Sequence, residues 1–280
     1  MTGIIFDHKE FAVFDGPGPR QTVFFKGCPL RCSWCHNPEG LCAHPQLMVS
    51  NASCAHCGNC IRICTHETCI ACGDCVHVCP LHLRSIAGET VTAGELAGRI
   101  LKNADYYAAY GGGVTFSGGE PLMQAAFLGE VLRLLPGVHC AVETSGYCQP
   151  SLFQEITALL DYVIMDIKLF DETRHRHFTG VSNRLILQNA LGLCEGQIPF
   201  VIRIPVIPGV NDTDENYRQT AAFLSGARNL VRVEFLPYHK TAGAKYSMAG
   251  MEYQPQFDPE GSIHISQEIF GEYGIRSVIL

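Results

Sequence analysis

The distribution of cysteine most restricts what this chain can fold into. Fifteen of its 280 residues are cysteine, and twelve of these lie between Cys28 and Cys79. A secreted protein stapled by disulfides would spread its cysteines through a short chain. A dense cluster with no secretory signal before it is instead typical of metal binding in a reducing compartment. We therefore expect residues 28–79 to be organised by metal centres and the protein to be cytoplasmic.

The first three cysteines form a C-x3-C-x2-C triplet, Cys28, Cys32 and Cys35, just after an apolar run. Three thiolates at this spacing can ligate three irons of a [4Fe–4S] cluster and leave the fourth iron without a protein ligand. A ferredoxin closes that position with a fourth cysteine, because electron transfer needs no open coordination site. An open iron can bind a substrate, so the triplet indicates chemistry at the cluster. A zinc knuckle or structural thiols are the alternative.

Eight further cysteines form two C-x2-C-x2-C-x3-C runs, and Pro80 follows the second. This spacing is the signature of bacterial ferredoxins with two clusters, in which the fourth cysteine of each run ligates the other cluster. Only residues 65–68 separate the two runs, so a rearranged auxiliary cluster is one alternative and structural zinc is another. The two expected ligand sets are Cys54, Cys57, Cys60 with Cys79, and Cys69, Cys72, Cys75 with Cys64.

Composition excludes several classes of function. Hydrophobic residues make up 47% of the chain and charged residues 17%, as in a soluble globular protein. The sequence contains no apolar run of about 18 residues, the length that a membrane span requires. The formal net charge of −7 argues against a nucleic-acid partner, which usually demands a basic face. We expect neither a membrane nor a nucleic-acid partner.

Strands and helices alternate along the remainder of the chain. Six strands alternating with helices predict parallel pairing through right-handed crossovers, with functional residues at the carboxyl ends of the strands. Repetition alone leaves an open doubly wound sheet and a barrel both possible. The strands are predicted at residues 22–25, 114–117, 138–143, 162–166, 201–205 and 231–236.

Four helices have recognisable starts. Thr92 and Glu95 fit a capping box that opens a helix reaching about residue 107. Pro121 suits the first turn of a helix to about residue 135. The other two predicted N-caps are Ser151, before an apolar helix face at 152–160, and Asp212 or Asp214, before a helix that ends at Leu224.

The residues around the triplet carry a resemblance to a known family. Residues 15–20 read Asp-Gly-Pro-Gly-Pro-Arg, residues 36–38 read His-Asn-Pro, and residues 117–121 read Ser-Gly-Gly-Glu-Pro. With the triplet, these segments resemble the radical S-adenosylmethionine (SAM) superfamily and, within it, the pyruvate formate-lyase activating enzyme-like activators of glycyl radical enzymes. The resemblance implies an α/β fold with a partial (β/α)6 TIM-type barrel at residues 1–50 and 81–280. Residues 51–80 are then a small ferredoxin-like, cysteine-rich insert.

The resemblance also implies which residues bind SAM. Two glycines let the backbone approach a ligand closely, and the start of the following helix favours the methionine carboxylate. Lys168 can pair with that carboxylate while Asp166 accepts from the amino group or a ribose hydroxyl; an exposed ion pair is the alternative. Glu143 and Thr144 stand where relatives have residues near a bound monovalent cation. The implied cofactor-binding residues are Trp34, Cys35, His36, Asn37, Gly118, Gly119, Glu120, Glu143, Thr144, Asp166, Ile167, Lys168, Arg203 and His239, and the implied catalytic residues are Cys28, Cys32, Cys35 and Lys168.

The activity implied by the resemblance is reductive cleavage of SAM, after which a 5′-deoxyadenosyl radical takes a hydrogen from a glycine of a partner glycyl radical enzyme. The partner is expected to be a dehydratase, decarboxylase or lyase, the electron donor a flavodoxin or ferredoxin, and the protein a monomer. Asp15, Gly16, Pro17 and Gly18 are expected to contact the partner peptide, since prolines limit the freedom of this loop; a rigid turn is the alternative. A radical SAM enzyme acting on a small molecule and a non-catalytic electron carrier are the competing functions.

Overall fold

The computed structural model describes the backbone of all 280 residues and every side chain except that of residue 242. Its largest element is a sheet of nine strands. A separate two-stranded ribbon pairs β3 with β4. The strands are β1 (Thr2–Ala12), β2 (Arg20–Phe25), β3 (Gln46–Val49), β4 (Arg84–Ala87), β5 (Glu89–Thr92), β6 (Gly113–Gly118), β7 (Cys140–Thr144), β8 (Tyr162–Asp166), β9 (Phe200–Val206), β10 (Leu230–Pro237) and β11 (Ser277–Ile279).

Most of the α-helices lie between strands in the chain and contribute apolar residues to the same hydrophobic core as the large sheet. Two short 3₁₀-helices, Pro38–Gly40 and Pro121–Gln124, add to them. Within the described part of the chain, no helix is both long and apolar enough to cross a membrane. The α-helices are α1 (Asn59–Ile63), α2 (Asp74–His77), α3 (Ala93–Leu101), α4 (Ala104–Ala109), α5 (Ala125–Arg133), α6 (Pro150–Thr157), α7 (Glu172–Thr179), α8 (Arg184–Glu195), α9 (Asp214–Leu224), α10 (Ala242–Met248) and α11 (Gln267–Glu272).

The large sheet has the strand order β11-β10-β9-β8-β7-β6-β2-β1-β5. Every pair from β2 to β11 is parallel, whereas β1 pairs antiparallel with both β2 and β5. Six parallel strands, β2 and β6 to β10, are each followed by one or more helices. The predicted α/β fold with a partial (β/α)6 barrel is therefore confirmed, and each predicted strand overlaps an observed one.

Alternation along the strands separates the apolar core from the polar interior of the barrel. Val142 on β7 and Ile202 on β9 belong to the main hydrophobic core. Their neighbours Glu143 and Arg203 project from the opposite face of the sheet, because successive strand side chains alternate between faces. Asp166 at the end of β8 pairs in register with Arg203. Charged side chains from three adjacent strands consequently meet inside the barrel.

Two helix starts differ from their predictions. Helix α6 begins at Pro150 with Gln149 as its N-cap, so the predicted cap at Ser151 is wrong. Proline has the φ of a first helical turn and lacks the N–H that this turn leaves free, which lets the helix begin two residues earlier than predicted. Thr213, rather than either neighbouring aspartate, caps α9 by accepting the Asn216 N–H.

The capping box before α3 is confirmed, since Thr92 Oγ1 accepts the Glu95 N–H and Glu95 accepts the Thr92 N–H. The helix that it opens ends at Leu101, however, and α4 starts separately at Ala104. The antiparallel strands β1 and β5, the parallel edge strand β11 and the short ribbon of β3 and β4 were not predicted. Because β3 and β4 are four residues each and lie far apart in the chain, only their pairing identifies them as strands.

Candidate active site

A cavity of about 300 Å³ opens at the carboxyl ends of the parallel strands. It is the place where the loop after β2 meets the ends of β6, β7, β8 and β10. Its lining includes Cys28, Cys32, Trp34, Cys35, His36, Asn37, Ser117, Gly118, Gly119, Glu143, Thr144, Ser145, Asp166, Lys168, Tyr238 and His239. Segments up to about 200 residues apart in sequence thus contribute to one concave surface.

The triplet loop is held in place by backbone hydrogen bonds. The Arg31 N–H donates to the Thr179 carbonyl at 2.7 Å and the Ser33 N–H to the Phe178 carbonyl at 3.0 Å, which ties the loop to the end of α7. The Cys35 N–H donates to the Cys32 carbonyl at 3.0 Å. This loop therefore has a fixed shape that does not depend on its thiols.

The three triplet thiols are suited to a metal cluster that replaces their protons. Burial raises the pKa of Cys28 and of Cys32 to about 12 and also raises that of Cys35. Protein groups alone therefore do not stabilise three thiolates here, and iron must displace the protons as it binds. All three thiols line one cavity without a fourth cysteine among its lining residues. The donor set fits a [4Fe–4S] cluster with one open iron.

Two glycines let the end of β6 lie against the start of the triplet loop. A Cβ on Gly118, whose φ is +119°, would lie 2.3 Å from the Phe25 nitrogen, and one on Gly119 would lie 2.3 Å from the Gly27 carbonyl oxygen. The Gly119 N–H donates to the Phe25 carbonyl at 2.8 Å. Any larger side chain would push the two segments apart. The glycine motif thus fixes the distance between the triplet and the floor of the cavity.

Glu120 lies behind the cavity and organises it. Its carboxylate is fully buried and accepts hydrogen bonds from Thr144 Oγ1 at 2.6 Å, Ser145 Oγ at 2.5 Å and the Leu122 N–H at 3.1 Å. The last of these bonds caps the 3₁₀-helix that follows the glycines. The start of this helix was expected to bind the SAM carboxylate. The Glu120 carboxylate already accepts a hydrogen bond there and would compete with SAM for that position.

Lys168 supplies the buried cation of the cavity. Its Nζ donates to Asp166 Oδ2 at 2.5 Å, and its side chain is 10% exposed. Burial lowers the pKa of Lys168, but the charge of Asp166 and the hydrogen bond to it outweigh burial and raise the pKa above the usual range. Asn211 anchors the backbone here, since its Nδ2 donates to the Lys168 carbonyl at 2.7 Å. Lys168 is therefore positioned as a charged donor.

A network of buried charges lies beneath the cavity. Arg203 donates to Glu143 Oε1 and, at 2.8 Å, to Glu234 Oε2, while Ser117 Oγ donates to Glu143 Oε2 at 2.5 Å. Burial raises the pKa of the Glu143 carboxyl, but Arg203 and the Ser117 hydrogen bond outweigh it and lower the pKa. Both Glu143 oxygens thus already have donors. The monovalent cation expected near Glu143 and Thr144 stays a prediction.

The loop of residues 15–18 joins β1 to β2 and is tied to this network. Asp15 Oδ2 accepts from Thr22 Oγ1 at 2.6 Å, the Asp15 carbonyl accepts from Thr115 Oγ1 at 2.6 Å, and Arg203 donates to the Phe14 carbonyl. The Asp15 carboxylate lies 3.9 Å from Arg203 Nη1. Burial raises the pKa of Asp15, with the Glu143 charge as a second cause. The loop therefore reaches the barrel interior from the side opposite the triplet.

The eight cysteines of the two ferredoxin-like runs do not all lie in one place. A second cavity, of about 260 Å³, is lined by five of them together with His66 and Glu67. One predicted ligand set lies wholly in this lining, and only Cys60 of the other set does. The five lining cysteines are Cys60, Cys64, Cys69, Cys72 and Cys75, whereas Cys54, Cys57 and Cys79 lie outside it.

The matches to known proteins agree with this geometry. A family model described as the Radical SAM superfamily matches residues 22–221. The chain is 36% identical to the choline trimethylamine-lyase activating enzyme of Oleidesulfovibrio alaskensis, over 91% of this chain and 90% of that protein. It is also 36% identical to the 4-hydroxyphenylacetate decarboxylase activating enzyme of Clostridioides difficile, over 100% of this chain and 96% of that protein. The chain belongs to the activating enzymes of glycyl radical enzymes, within the radical SAM superfamily.

A solved structure supports the fold of this radical SAM protein. A radical SAM methyltransferase from Sphaerobacter thermophilus superposes with a TM-score of 0.55 at 15% identity, over 93% of this chain and 66% of that chain. Similarity at this level concerns the fold alone. Membership of the superfamily implies SAM and a [4Fe–4S] cluster as cofactors.

Most of the expected SAM-binding residues line the cavity, and three do not. Glu120 is the buried anchor described above, Arg203 belongs to the network beneath the cavity, and the Ile167 side chain packs in the hydrophobic core. Ser145 and Tyr238 line the cavity but were not selected from sequence. Both residues lie in sequence segments that carry the family resemblance. Their neighbours Thr144 and His239 were predicted to bind SAM, and this could have pointed to Ser145 and Tyr238 as well.

Proposed function

We propose that this chain activates a partner glycyl radical enzyme by cleaving SAM reductively at a [4Fe–4S] cluster held by Cys28, Cys32 and Cys35. The observation that carries the proposal is the convergence of these thiols with Gly118 and Lys168 on one cavity. When bound, the cluster supplies an electron and an open iron site for SAM. The two curated relatives, named as activating enzymes of a lyase and a decarboxylase, support a partner of that group.

The surrounding residues position SAM. Lys168 is a charged donor for the methionine carboxylate, and Asp166 is an acceptor for the amino group or a ribose hydroxyl. Gly118 and Gly119 form an edge without side chains along which the methionine end lies. Trp34 and His239 contribute aromatic rings to the same lining.

The glycine-bearing peptide of the partner approaches along residues 15–18. This loop connects to the cavity through Arg203, which contacts the Phe14 carbonyl on one side and Glu143 on the other. A peptide that contacts Asp15 therefore borders the charged network beneath the cavity, and its glycine must extend into that cavity to reach the 5′-deoxyadenosyl radical. The competing small-molecule activity has no such use for this loop.

Residues 51–80 form the insert, with two auxiliary clusters that relay electrons or organise its fold. The cavity lined by Cys64, Cys69, Cys72 and Cys75 supports the second crossed ligand set. Electrons come from a flavodoxin or ferredoxin in the cytoplasm, where reducing conditions keep free thiols reduced. The protein acts as a monomer on its partner.

The test compares Cys32→Ala with Cys194→Ala, a half-buried cysteine outside both cavities. Reconstituted wild-type protein should hold about twelve irons, four for each of three clusters. Cys32→Ala should lose about four of them and all 5′-deoxyadenosine formation, whereas Cys194→Ala should keep both. If Cys32→Ala kept the wild-type iron content and the wild-type rate of SAM cleavage, the proposed cluster site would be refuted.

A separate experiment tests whether the partner is a glycyl radical enzyme. Wild-type protein incubated with SAM, a reductant and the glycyl radical enzyme of the same genome should give a glycyl electron paramagnetic resonance (EPR) signal. SAM-dependent consumption of a small molecule without any glycyl signal would instead favour the competing enzyme class. Asp15→Ala should lower the glycyl signal while uncoupled SAM cleavage persists, because Asp15 is separated from the cavity by Arg203 and Glu143.

A further inference from the structure

Three aromatic side chains form an exposed patch near the end of β1 and along α4. Phe11 lies on β1, Tyr106 lies on α4, and Tyr110 follows directly after that helix. The ring centroids of Phe11 and Tyr106 are 5.7 Å apart, and those of Tyr106 and Tyr110 are 5.1 Å apart. All three residues are nevertheless 47–64% exposed. We call this group the aromatic patch; rings that contact one another yet face solvent are typical of a surface that binds another protein.

The Phe11 ring joins the aromatic patch at a conformational cost. Phe11 has a φ of +62°, in the left-handed region that residues other than glycine seldom adopt. The pairing of β1 with β2 is irregular at this point, between Lys9 and Ala12. Strained backbone of this kind is concentrated at functional sites. Burial of the ring does not explain the strain, because most of the Phe11 side chain is exposed.

The aromatic patch borders the loop of residues 15–18 on two sides. On one side, the exposed residue Phe14 leads from β1 directly into this loop. On the other side, Gly111 follows Tyr110 and lies against Gly18, where a Cβ would be only 2.5 Å from the Gly111 carbonyl oxygen. This close approach holds the chain after α4 against the loop. The patch and the loop therefore lie side by side on the molecule.

We propose that the aromatic patch docks the partner glycyl radical enzyme, on the apolar surface next to the partner's glycine-bearing loop. The inference rests on the proposed function, which places the glycine-bearing peptide against residues 15–18. A peptide bound there brings the rest of the folded partner against the adjoining surface, which includes the patch. Aromatic side chains are enriched in protein interfaces, and tyrosine is among the residues that contribute most to binding.

The size of a protein substrate supports this assignment. A specific protein–protein complex buries about 800 Å² on each partner, an area that a loop as short as residues 15–18 does not provide. An activating enzyme therefore needs further contact surface beside this loop. The aromatic patch supplies exposed apolar area at that position.

The experiment compares the double variant Phe11→Asn/Tyr110→Ser with Leu191→Ser. Asparagine tolerates a left-handed φ, so the double variant removes two rings without adding backbone strain. Leu191 is the matched control, an exposed apolar residue on α8, which packs against α6. EPR measures the initial rate of glycyl radical formation at increasing concentrations of the partner enzyme. Formation of 5′-deoxyadenosine without the partner is measured in parallel.

In the double variant, the partner concentration that gives half the maximal rate should rise about tenfold, because two rings are lost from the contact. The maximal rate should stay at the wild-type value, since these rings bind the ground state and the transition state equally. Uncoupled SAM cleavage should also be unchanged. Leu191→Ser should match wild type in every measurement, and so should Tyr110→Phe, which retains the ring.

Three results would overturn the proposal. An unchanged half-saturating concentration would show that the rings do not contact the partner, and an equal loss of uncoupled SAM cleavage would assign them to the fold. A wild-type dimer that the double variant abolishes, measured by sedimentation velocity, would show that a second copy of this chain covers the patch. The proposed function fails differently, because wild-type protein would then form no glycyl radical at any partner concentration.

Discussion

The triplet loop and the insert use the same ligand, cysteine, in two contrasting settings. The triplet loop is hydrogen-bonded to α7 and lies on a barrel with an extensive apolar core. In the insert, α1 and α2 bury none of their residues, and the side chains of Ile61 and Ile70 are 77% and 63% exposed. A segment of about 30 residues is too short to bury a core of its own. The barrel is therefore shaped by hydrophobic burial, and we predict that the insert is shaped by bound metal.

Removal of iron should produce the largest difference between these regions. We expect the backbone amides of residues 51–80 to lose nearly all protection from hydrogen exchange in iron-free protein, because metal binding is their main source of order. The amides of β7 and β8 should remain protected, since their side chains are buried in the apolar core. Mass-spectrometric hydrogen exchange of matched holo and iron-free samples measures both. Equal protection of residues 51–80 in the two samples would contradict the comparison.

A truncation in the barrel core should have the next largest effect. Leu128 on α5 is completely buried, so Leu128→Ala removes packed methyl groups and leaves a cavity. The free energy of global opening should fall by about 2–5 kcal/mol. Hydrogen exchange of the most protected β6 and β7 amides under native conditions measures this change. A loss below about 1 kcal/mol would show that the core relaxes around the cavity, contrary to close packing.

The corresponding truncation in the insert should have the smallest effect. Ile61→Ala also removes aliphatic carbons, but the Ile61 side chain is mostly exposed. The same opening free energy should change by no more than about 0.5 kcal/mol, and iron content should not change. A large loss of stability or of iron would mean that Ile61 packs against another surface in the holoprotein. That result would contradict the view that the barrel is stabilised by its apolar core and the insert by bound metal.

Much of the site was predictable because its signals are local. The spacing of Cys28, Cys32 and Cys35 is complete within eight residues, and Gly118 and Gly119 directly follow a recognisable strand. Alternation of strands and helices then predicted that their carboxyl ends would meet. The roles of individual side chains were less accessible, as Glu120 shows: it belongs to the glycine motif, yet it anchors Thr144 and Ser145 behind the cavity.

The sequence by itself determined the family and the partial barrel and predicted the cysteine ligand sets, since each depends on short spacings or a repeated pattern. Tertiary structure decided which strands form the sheet edges, where Arg203 directs its charge, and that Lys245 on α10 pairs with Glu39 beside the triplet loop. These contacts join residues far apart in the chain, and their energies depend on burial and distance rather than on neighbouring sequence. A lysine on a short helix has no local sign of such a role, and only the packing of α10 against the 3₁₀-helix Pro38–Gly40 brings its ammonium group to Glu39.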